Sequence, residues 1–345
     1  MNPGGSKRAA PPNLLHVAQH AGVSSATVSN VINHPEKVAA ATLTKVRASI
    51  DELGFSLNQN AQSLKAGASQ TIGLVLFDLT NTFFVDIARG AQRVARQNKF
   101  HLQLGSSENS AEEQNEHVAF FDRSRVAGMI LTPMFDATES ISIARRHHRP
   151  VVVVNYALPD ASACSVTVDN ELAGYMAMRH LIELGCTRIA FVGGRWNLQP
   201  VQFRHAGALR AVEEAGGSVT MTVVEVDDLD PPEGDLAGRR LAALSEADRP
   251  DGVLGVTDLL AMAIIGELTK AGISVPDDVR VMGCDFNSAA WGGTVPMSSV
   301  ALRGEELGEA AVSLLIEELK DDHDHVHRAV VIEPTLVVRE STIGR

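Results

Sequence analysis

The chain has 345 residues, 45% of them hydrophobic and 21% charged, which is room for two or three globular domains with cores of their own. No apolar run approaches the ~20 residues that a membrane-spanning helix needs, so a helical membrane protein is excluded. The formal charge of −12 argues against a nucleic-acid partner until it is divided: residues 1–68 hold Lys7, Arg8, Lys37, Lys45, Arg47 and Lys65 against Glu36, Asp51 and Glu52, a balance of +3, leaving −15 for the remainder.

Residues 1–12, MNPGGSKRAAPP, read as a disordered arm with no secretory signal. Asn13 to Asn33, NLLHVAQHAGVSSATVSNVIN, holds two short amphipathic segments. Leu14, Val17, Ala18 and Ala21 recur at helical spacing behind Asn13, a plausible N-cap, while His16, Gln19 and His20 face outward. Gly22 breaks the period, Val23 can plug a core, and Ser24 can cap a second helix burying Val28, Val31 and Ile32. Ser25, Ala26, Ser29 and Asn30 are left exposed, small and neutral, which suits approach to base edges better than catalysis. Short helix pairs with a Gly turn also occur as plain packing units, so this segment leaves both readings open. A third helical pattern, Val46, Ile50 and Leu53, ends at Gly54, and Asn58 to Lys65 is a helix-capable run too short to hold a helix alone in water.

From Thr71 short apolar runs alternate with helical stretches. Predicted strands are Ile72 to Phe77, His101 to Leu104, Gly128 to Leu131, Val151 to Val154, Arg188 to Val192, Gly252 to Val256 and Val279 to Gly283. Helices are predicted between them, over 84–97, 112–121, 172–184, 203–215, 259–270 and 305–319. Continuous Val, Ile and Leu strands joined by helices imply parallel sheets covered on both faces, and the length implies two α/β subdomains with gaps near Val166 to Asn170 and Ser298 to Arg303 as crossings. Ligands in such sheets sit at the carboxyl ends of the strands. Cys164, Cys186 and Cys284 show no C-x-x-C spacing and read as buried reduced thiols, in keeping with a cytoplasmic protein.

The order of these pieces resembles the LacI family of bacterial transcription regulators. The residues that carry the resemblance are AGVSSATVSNVIN, IDELGF from Ile50, NQNAQSLKAG from Asn58, SQTIGLVLFDLTNTFF from Ser69, VDNELAGYMAMRHLIELGCTRIAFVGG, VTDLLAMAIIGEL, VPDDVRVMGCDF and LVVRES, spanning residues 13 to 341. The resemblance implies an all-α helix-turn-helix DNA-binding head (13–57), a hinge helix (58–68) and an α/β core (69–345). That core is similar to periplasmic binding proteins and consists of two doubly wound parallel-sheet subdomains, about 71–165 plus 303–322 and about 166–298 plus 325–341. It further implies a homodimer, or a higher oligomer, that binds double-stranded operator DNA under control of a small-molecule effector, with no cofactor, metal or membrane partner.

For the DNA site the resemblance implies Ser25, Ala26, Thr27, Ser29 and Asn30 on the recognition helix and Asn58, Ala61, Leu64 and Lys65 in the hinge, where the residue matching Leu64 wedges between base steps and kinks the minor groove. Leu57 stands where the family commonly has proline, Gln62 where an Arg is frequent, and Asn30 replaces a common Arg, so the operator is expected to differ from those of common members. For the effector the implied residues are Asp78, Phe83, Phe84, Thr132 and Asn155 from the first subdomain and Arg204, Thr257, Asp258 and Asp285 from the second. Carboxylates, an amide, a guanidinium fork and aromatic faces suit a sugar or polyol, with a purine, a phosphorylated metabolite or a protein co-regulator as alternatives. Phe83 and Phe84 also fit a core, Asp258 also fits a helix cap, and Trp291 or Phe286 could supply stacking. Thr257, Leu302 and Ala301 stand where the family has more polar residues, which lowers the polar reach of that wall.

Two rival classes are weaker. A solute-binding protein would carry an export signal and no DNA-reading head. An enzyme of this architecture would be expected to show G-x-S-x-G, a P-loop or G-x-G-x-x-G after a strand, and Gly193-Gly194 is too short a match. His16 and His20 at i, i+4 lack a third ligand, and the HDHVH run from His323 to His327 reads more simply as a solvated loop than as a metal site.

Overall fold

The computed structural model describes residues 12–55, 69–286, 295–321 and 325–344. The chain divides into two compact units, 1–68 and 69–345. In the first unit α1 (Leu14–His20), α2 (Ser25–Asn33) and α3 (Ala40–Leu53) surround a small core of Val17, Ala18, Ala21, Val28, Val31 and Val46, with Val23, Ile32 and Ile50 packed against it. Capping fixes where the helices start. The Asn13 side chain accepts from the His16 N–H at 3.0 Å while His16 Nδ1 accepts from the Asn13 N–H at 3.2 Å, and Ser24 Oγ accepts from the Thr27 N–H at 3.1 Å. Gly54, with φ 59°, ends α3 in the left-handed conformation that glycine adopts without a Cβ penalty.

The second unit holds two six-stranded sheets. In chain order the elements of the first half are β1 (Thr71–Leu76), α4 (Thr82–Gln97), β2 (His101–Ser106), α5 (Ala111–Arg123), β3 (Gly128–Leu131), α6 (Thr138–Arg145), β4 (Val151–Val154) and β5 (Cys164–Val168). There follow α7 (Asn170–Glu183), β6 (Arg188–Gly194), α8 (Gln199–Glu214), β7 (Thr220–Val226), α9 (Pro231–Ala242), β8 (Gly252–Gly255), α10 (Asp258–Lys270), β9 (Arg280–Asp285) and β10 (Ser298–Ala301). The chain then returns through α11 (Gly304–Lys320) and β11 (Ala329–Ile332) and ends with β12 (Thr335–Val337) and α12 (Glu340–Ile343). The first sheet runs β11-β5-β4-β3-β1-β2, all parallel; the second runs β12-β10-β9-β8-β6-β7, parallel except for β12. In the first sheet the apolar runs divide by alternation. Leu74, Leu76, Ile130, Val152 and Val154 pack toward the large core, and Val75, Met129, Leu131, Val151 and Val153 toward a second cluster with Val118 and Phe121 of α5.

Three expectations need correction. The gaps near 166–170 and 298–303 are largely strands: β5 and β10 are buried, but their Ser and Thr residues interrupt the apolar run that identifies a central strand. The crossings sit just beyond them, at Asp169 and at 302–303. Val166 to Val168 therefore belongs with the first sheet. So does 325–332, placed in the second subdomain by the sequence reading, because β11 pairs with β5 in the register Ala329 opposite Ser165. The third crossing lies between β11 and β12. β7, β11 and β12 are partly exposed edge strands; β7 mixes Thr and Glu with its apolar residues, and β11 and β12 are only four and three residues long.

Helices α7 and α8 touch backbone to backbone. A Cβ on Gly174 would lie 1.9 Å from the Arg204 carbonyl oxygen, and one on Gly207 1.9 Å from that of Glu171. No rotamer relieves such an overlap, so the helices must separate. Gly207→Ala is expected to cost about 2–3 kcal/mol and lower Tm by roughly 5 °C or more, whereas Gly266→Ala, a helical position with open space around it, should be neutral or stabilising. Thermal unfolding of both variants by circular dichroism checks this pair.

Candidate functional site

On the first unit, α2 presents Ala26 and Asn30 as exposed, whereas Ser25, Thr27 and Ser29 are half-buried. Thr27 Oγ1 sits 2.9 Å from Ser24 Oγ in the cap, and Ser29 Oγ accepts from Asn33 Nδ2 at 3.2 Å. The expected exposure thus holds for Ala26 and Asn30, and the hydroxyls beside them are partly engaged in holding the helix. Lys37, Lys45 and Arg47 are exposed on the same unit. His16 is engaged in the α1 cap and His20 lies 3.5 Å from Glu52, so neither is arranged as a metal ligand. Asn58, Ala61, Leu64 and Lys65 lie outside the described residues.

In the second unit a cavity of about 180 Å³ lies where the carboxyl ends of the two sheets meet. Asp78, Phe83, Phe84, Asn155, Arg204, Thr257 and Asp285 line it. Thr132 and Asp258 do not. Thr132 Oγ1 accepts from the Phe77 N–H at 2.9 Å and donates to the Val75 carbonyl, and Asp258, fully buried, accepts from Ser299 Oγ at 2.7 Å. Both are committed to the strand ends that form the wall. The helix cap belongs to Thr257, not Asp258. Phe83 and Phe84 serve the core and the cavity together, packed edge to face at 5.3 Å. Phe286 lies under the Arg339 guanidinium, 5.0 Å from it, and does not line the cavity; Trp291 is outside the described residues.

The centre of the wall is a buried ion pair. Arg204 Nη1 is 3.1 Å from Asp285 Oδ1 and donates to the Val256 carbonyl at 2.6 Å, while Nε donates to Asn170 Oδ1 at 3.0 Å. The other carboxylate oxygen accepts from Asn81 Nδ2 at 3.1 Å. Burial pushes the Asp285 carboxyl upward in pKa, against the Arg204 charge and the Asn81 amide, which pull it down. Cys284, enclosed beside them, is pushed up to about 12 by burial, so it is an inert thiol. Asn155 (φ 60°) and Asp285 (φ 118°) hold left-handed backbone at the strand ends, so conformational strain is concentrated at this cavity.

Asn81, Asn170 and Gln199 were not anticipated from sequence. Asn81 belongs to the first subdomain and Asp285 to the second, so their hydrogen bond crosses the cleft. Gln199 crosses too: its Oε1 accepts from the Ala157 N–H at 2.6 Å and its Nε2 donates to the Ala157 carbonyl at 3.1 Å. The signal for Asn81 was present, since it caps α4 through the Phe83 N–H; a side chain that caps a helix while facing a second domain looks in sequence like an ordinary cap. These bonds tie the two sides of the cleft together across the cavity.

Residues 13–58 match the model of the bacterial regulatory proteins of the lacI family, and residues 178–342 that of a periplasmic binding protein-like domain. The chain is 31% identical over 330 residues to the HTH-type transcriptional repressor PurR of Photobacterium profundum, covering 95% of this chain and 98% of that one. The solved complex of the transcriptional regulator CelR with cellobiose is similar at TM-score 0.71 and 28% identity, over 96% of this chain and 99% of the other. A Lac repressor dimer bound to operator and anti-inducer shares the fold at TM-score 0.80 and 23% identity, over 96% and 99%.

Removing one member of the buried pair strands the other. Asp285→Ala is expected to destabilise the protein by about 3–5 kcal/mol, and the double variant Arg204→Leu/Asp285→Ala by less than the single one, because it leaves no unpaired charge. Urea unfolding of both variants decides the point: a double variant less stable than Asp285→Ala would show that the pair is not the source of the cost.

Proposed function

The chain belongs to the LacI family of bacterial transcription regulators, DNA-binding proteins and not enzymes, and on that premise we propose that it is a repressor whose operator affinity is set by a sugar or polyol in the cleft between its two sheets. The observation that carries this reading is the convergence, in one cavity, of donors and acceptors from both subdomains: Asp78, Asn81 and Asn155 from one side, Arg204 and Asp285 from the other. Hydroxyls can donate to the carboxylates and accept from the guanidinium and amides, and the Phe84 face can cover the apolar side of a ring. Similarity to a regulator solved with cellobiose supports a carbohydrate, which would make this a regulator of carbohydrate metabolism. A purine is the second reading, favoured by the aromatic wall of Phe77, Phe83 and Phe84 and by similarity to repressors named PurR.

The mechanism is a shift between two populations. An effector that binds one arrangement of the subdomains more tightly biases the equilibrium toward it, and family-scale coupling is on the order of 1–3 kcal/mol. On the DNA side, Ser25, Ala26, Thr27, Ser29 and Asn30 read the half-site, with Asn58, Ala61, Leu64 and Lys65 forming the hinge contact. A head with so few cations requires two half-sites, hence a homodimer. Such a protein works in the cytoplasm, and no helix among the described residues is long and apolar enough to cross a membrane.

A thermal-shift screen of sugars, polyols and purines identifies the effector class. A true effector at 100 times its Kd stabilises by about 2.7 kcal/mol, and Arg204→Ala should abolish the shift. A hit unaffected by Arg204→Ala would place the site elsewhere. In a selection from randomised DNA, Asn30→Ala is expected to relax base preference at one position of each half-site by about 1–3 kcal/mol while leaving the others intact; an unchanged selected sequence would remove Asn30 from the readout.

A further inference from the structure

The first sheet brings together three donors that lie far apart in sequence. Cys164 opens β5, and His325 and His327 lie in the extended segment before β11, the strand paired with β5. Residues two apart in extended chain face the same side. His325 and His327 accordingly turn inward and are half-buried, while Val326 between them is 79% exposed. Cys164 Sγ is 3.1 Å from His325 Nε2 and 3.8 Å from His327 Nδ1, and the three donor atoms lie within 4.8 Å of one another. Around one tetrahedral zinc ion a sulfur and a nitrogen ligand are about 3.6 Å apart, given bonds of about 2.3 and 2.05 Å.

The shell behind them is incompletely satisfied. Arg145 Nη2 lies 3.0 Å from His327 Nε2 and Nη1 donates to Glu318 Oε1 at 2.6 Å, yet Arg145 Nε and Glu318 Oε2 are buried without a hydrogen-bond partner among the described residues. Glu318 is itself only 3% exposed. Buried unpaired polar atoms are costly, so their clustering here points to an arrangement completed by something else.

We propose that Cys164, His325 and His327 form a zinc site on the first subdomain. A thiolate with two imidazoles is a borderline-soft donor set that suits zinc, and the fourth position is left for water. On binding, the Cys164 thiol gives up its proton to solvent and the zinc–sulfur bond takes its place. Coordination through His327 Nδ1 moves that ring's proton to Nε2, so Arg145 turns away and Glu318 Oε2 becomes the acceptor, the carboxylate support that metal-bound histidines usually have. The site lies at the amino ends of β5 and β11, opposite the carboxyl ends that line the cleft, so it acts as a clip on the return strand and not as part of the effector pocket.

The test uses the full-length chain stripped with chelator and titrated with cobalt(II) as an optical probe, then with zinc. Expected are one ion per chain, a thiolate-to-cobalt charge-transfer band displaced by zinc, and a rise in Tm with zinc. His325→Gln and His327→Gln should each weaken binding at least about tenfold, and Cys164→Ser should remove the band. The two histidine variants change half-exposed side chains and keep the test decisive even if Cys164→Ser does not fold. Absence of saturable binding, a band that survives in Cys164→Ser, or wild-type affinity in both histidine variants would overturn the proposal.

Discussion

The core unit is organised around the Arg204–Asp285 pair. Each partner is at most 5% exposed in its side chain, and taking two such charges out of water costs several kcal/mol apiece unless their remaining hydrogen-bonding capacity is met. That requirement fixes much of the surroundings. Arg204 reaches the Val256 carbonyl and Asn170 only because α8 lies in backbone contact with α7, and Gly174 and Gly207 are what allow that approach. Asp285 meets Arg204 only by adopting φ 118° at the end of β9. Its second oxygen is satisfied from the other subdomain, by Asn81. A group placed for stability in one half of the protein therefore depends on the other half.

That dependence makes the cleft responsive. The bonds that cross it among the described residues, from Asn81, Asn170 and Gln199, are a handful of hydrogen bonds worth about 1 kcal/mol each. Their sum is of the size that a ligand binding one state preferentially can outweigh. A ligand hydroxyl that replaced the Asn81 amide at Asp285 Oδ2 would keep the carboxylate satisfied while releasing the first subdomain. One that bridged Asn81 and Asp285 would strengthen closure. In the proposed function Arg204 and Asp285 need no chemistry of their own; a change of partner at Asp285 is enough.

Much of this was legible in the sequence where a local rule governs. Asn13 and Ser24 cap their helices, the apolar stripe of α1 and α2 is buried, and the Val151–Val154 run is a central strand, because capping and periodicity are decided within a few residues. β5 and β10 escape a sequence reading because polar residues interrupt them: Ser165, Ser298 and Ser299 are buried and Thr167 is half-buried, and Ser298 and Ser299 are satisfied by distant partners, Ser298 donating to the Arg339 carbonyl and Ser299 to Asp258. Their sequences cannot declare that compensation. Thr132 and Asp258 follow strand ends, yet the cavity is lined by Met134, two residues beyond Thr132, and by Thr257 and Leu259 on either side of Asp258. The direction of a side chain there depends on which neighbouring strand needs its hydrogen bond. Asn81 and Gln199 remained invisible for a related reason: their partners lie on the facing subdomain, which no periodicity encodes.

The same close-packing logic also says where the core unit can move. In the first subdomain a Cβ on Gly90 would lie 1.9 Å from the Glu305 carbonyl oxygen and one on Gly308 2.0 Å from that of Ile87, the counterpart of the Gly174 and Gly207 contacts in the second. Thus α4 with α11, and α7 with α8, are locked helix pairs, and each pair includes the helix that follows a crossing between sheets. Interiors packed this tightly change by discrete rearrangement and not by gradual deformation. The freedom that remains is at the crossings themselves: Asp169, the 302–303 step where Arg303 holds φ 56°, and the turn between β11 and β12. Three short segments joining two rigid bodies permit rocking about one side of the cleft and little else. Under the proposed function, an effector that alters the Asn81–Asp285 contact would therefore act on the relation of two intact subdomains and not on their interiors.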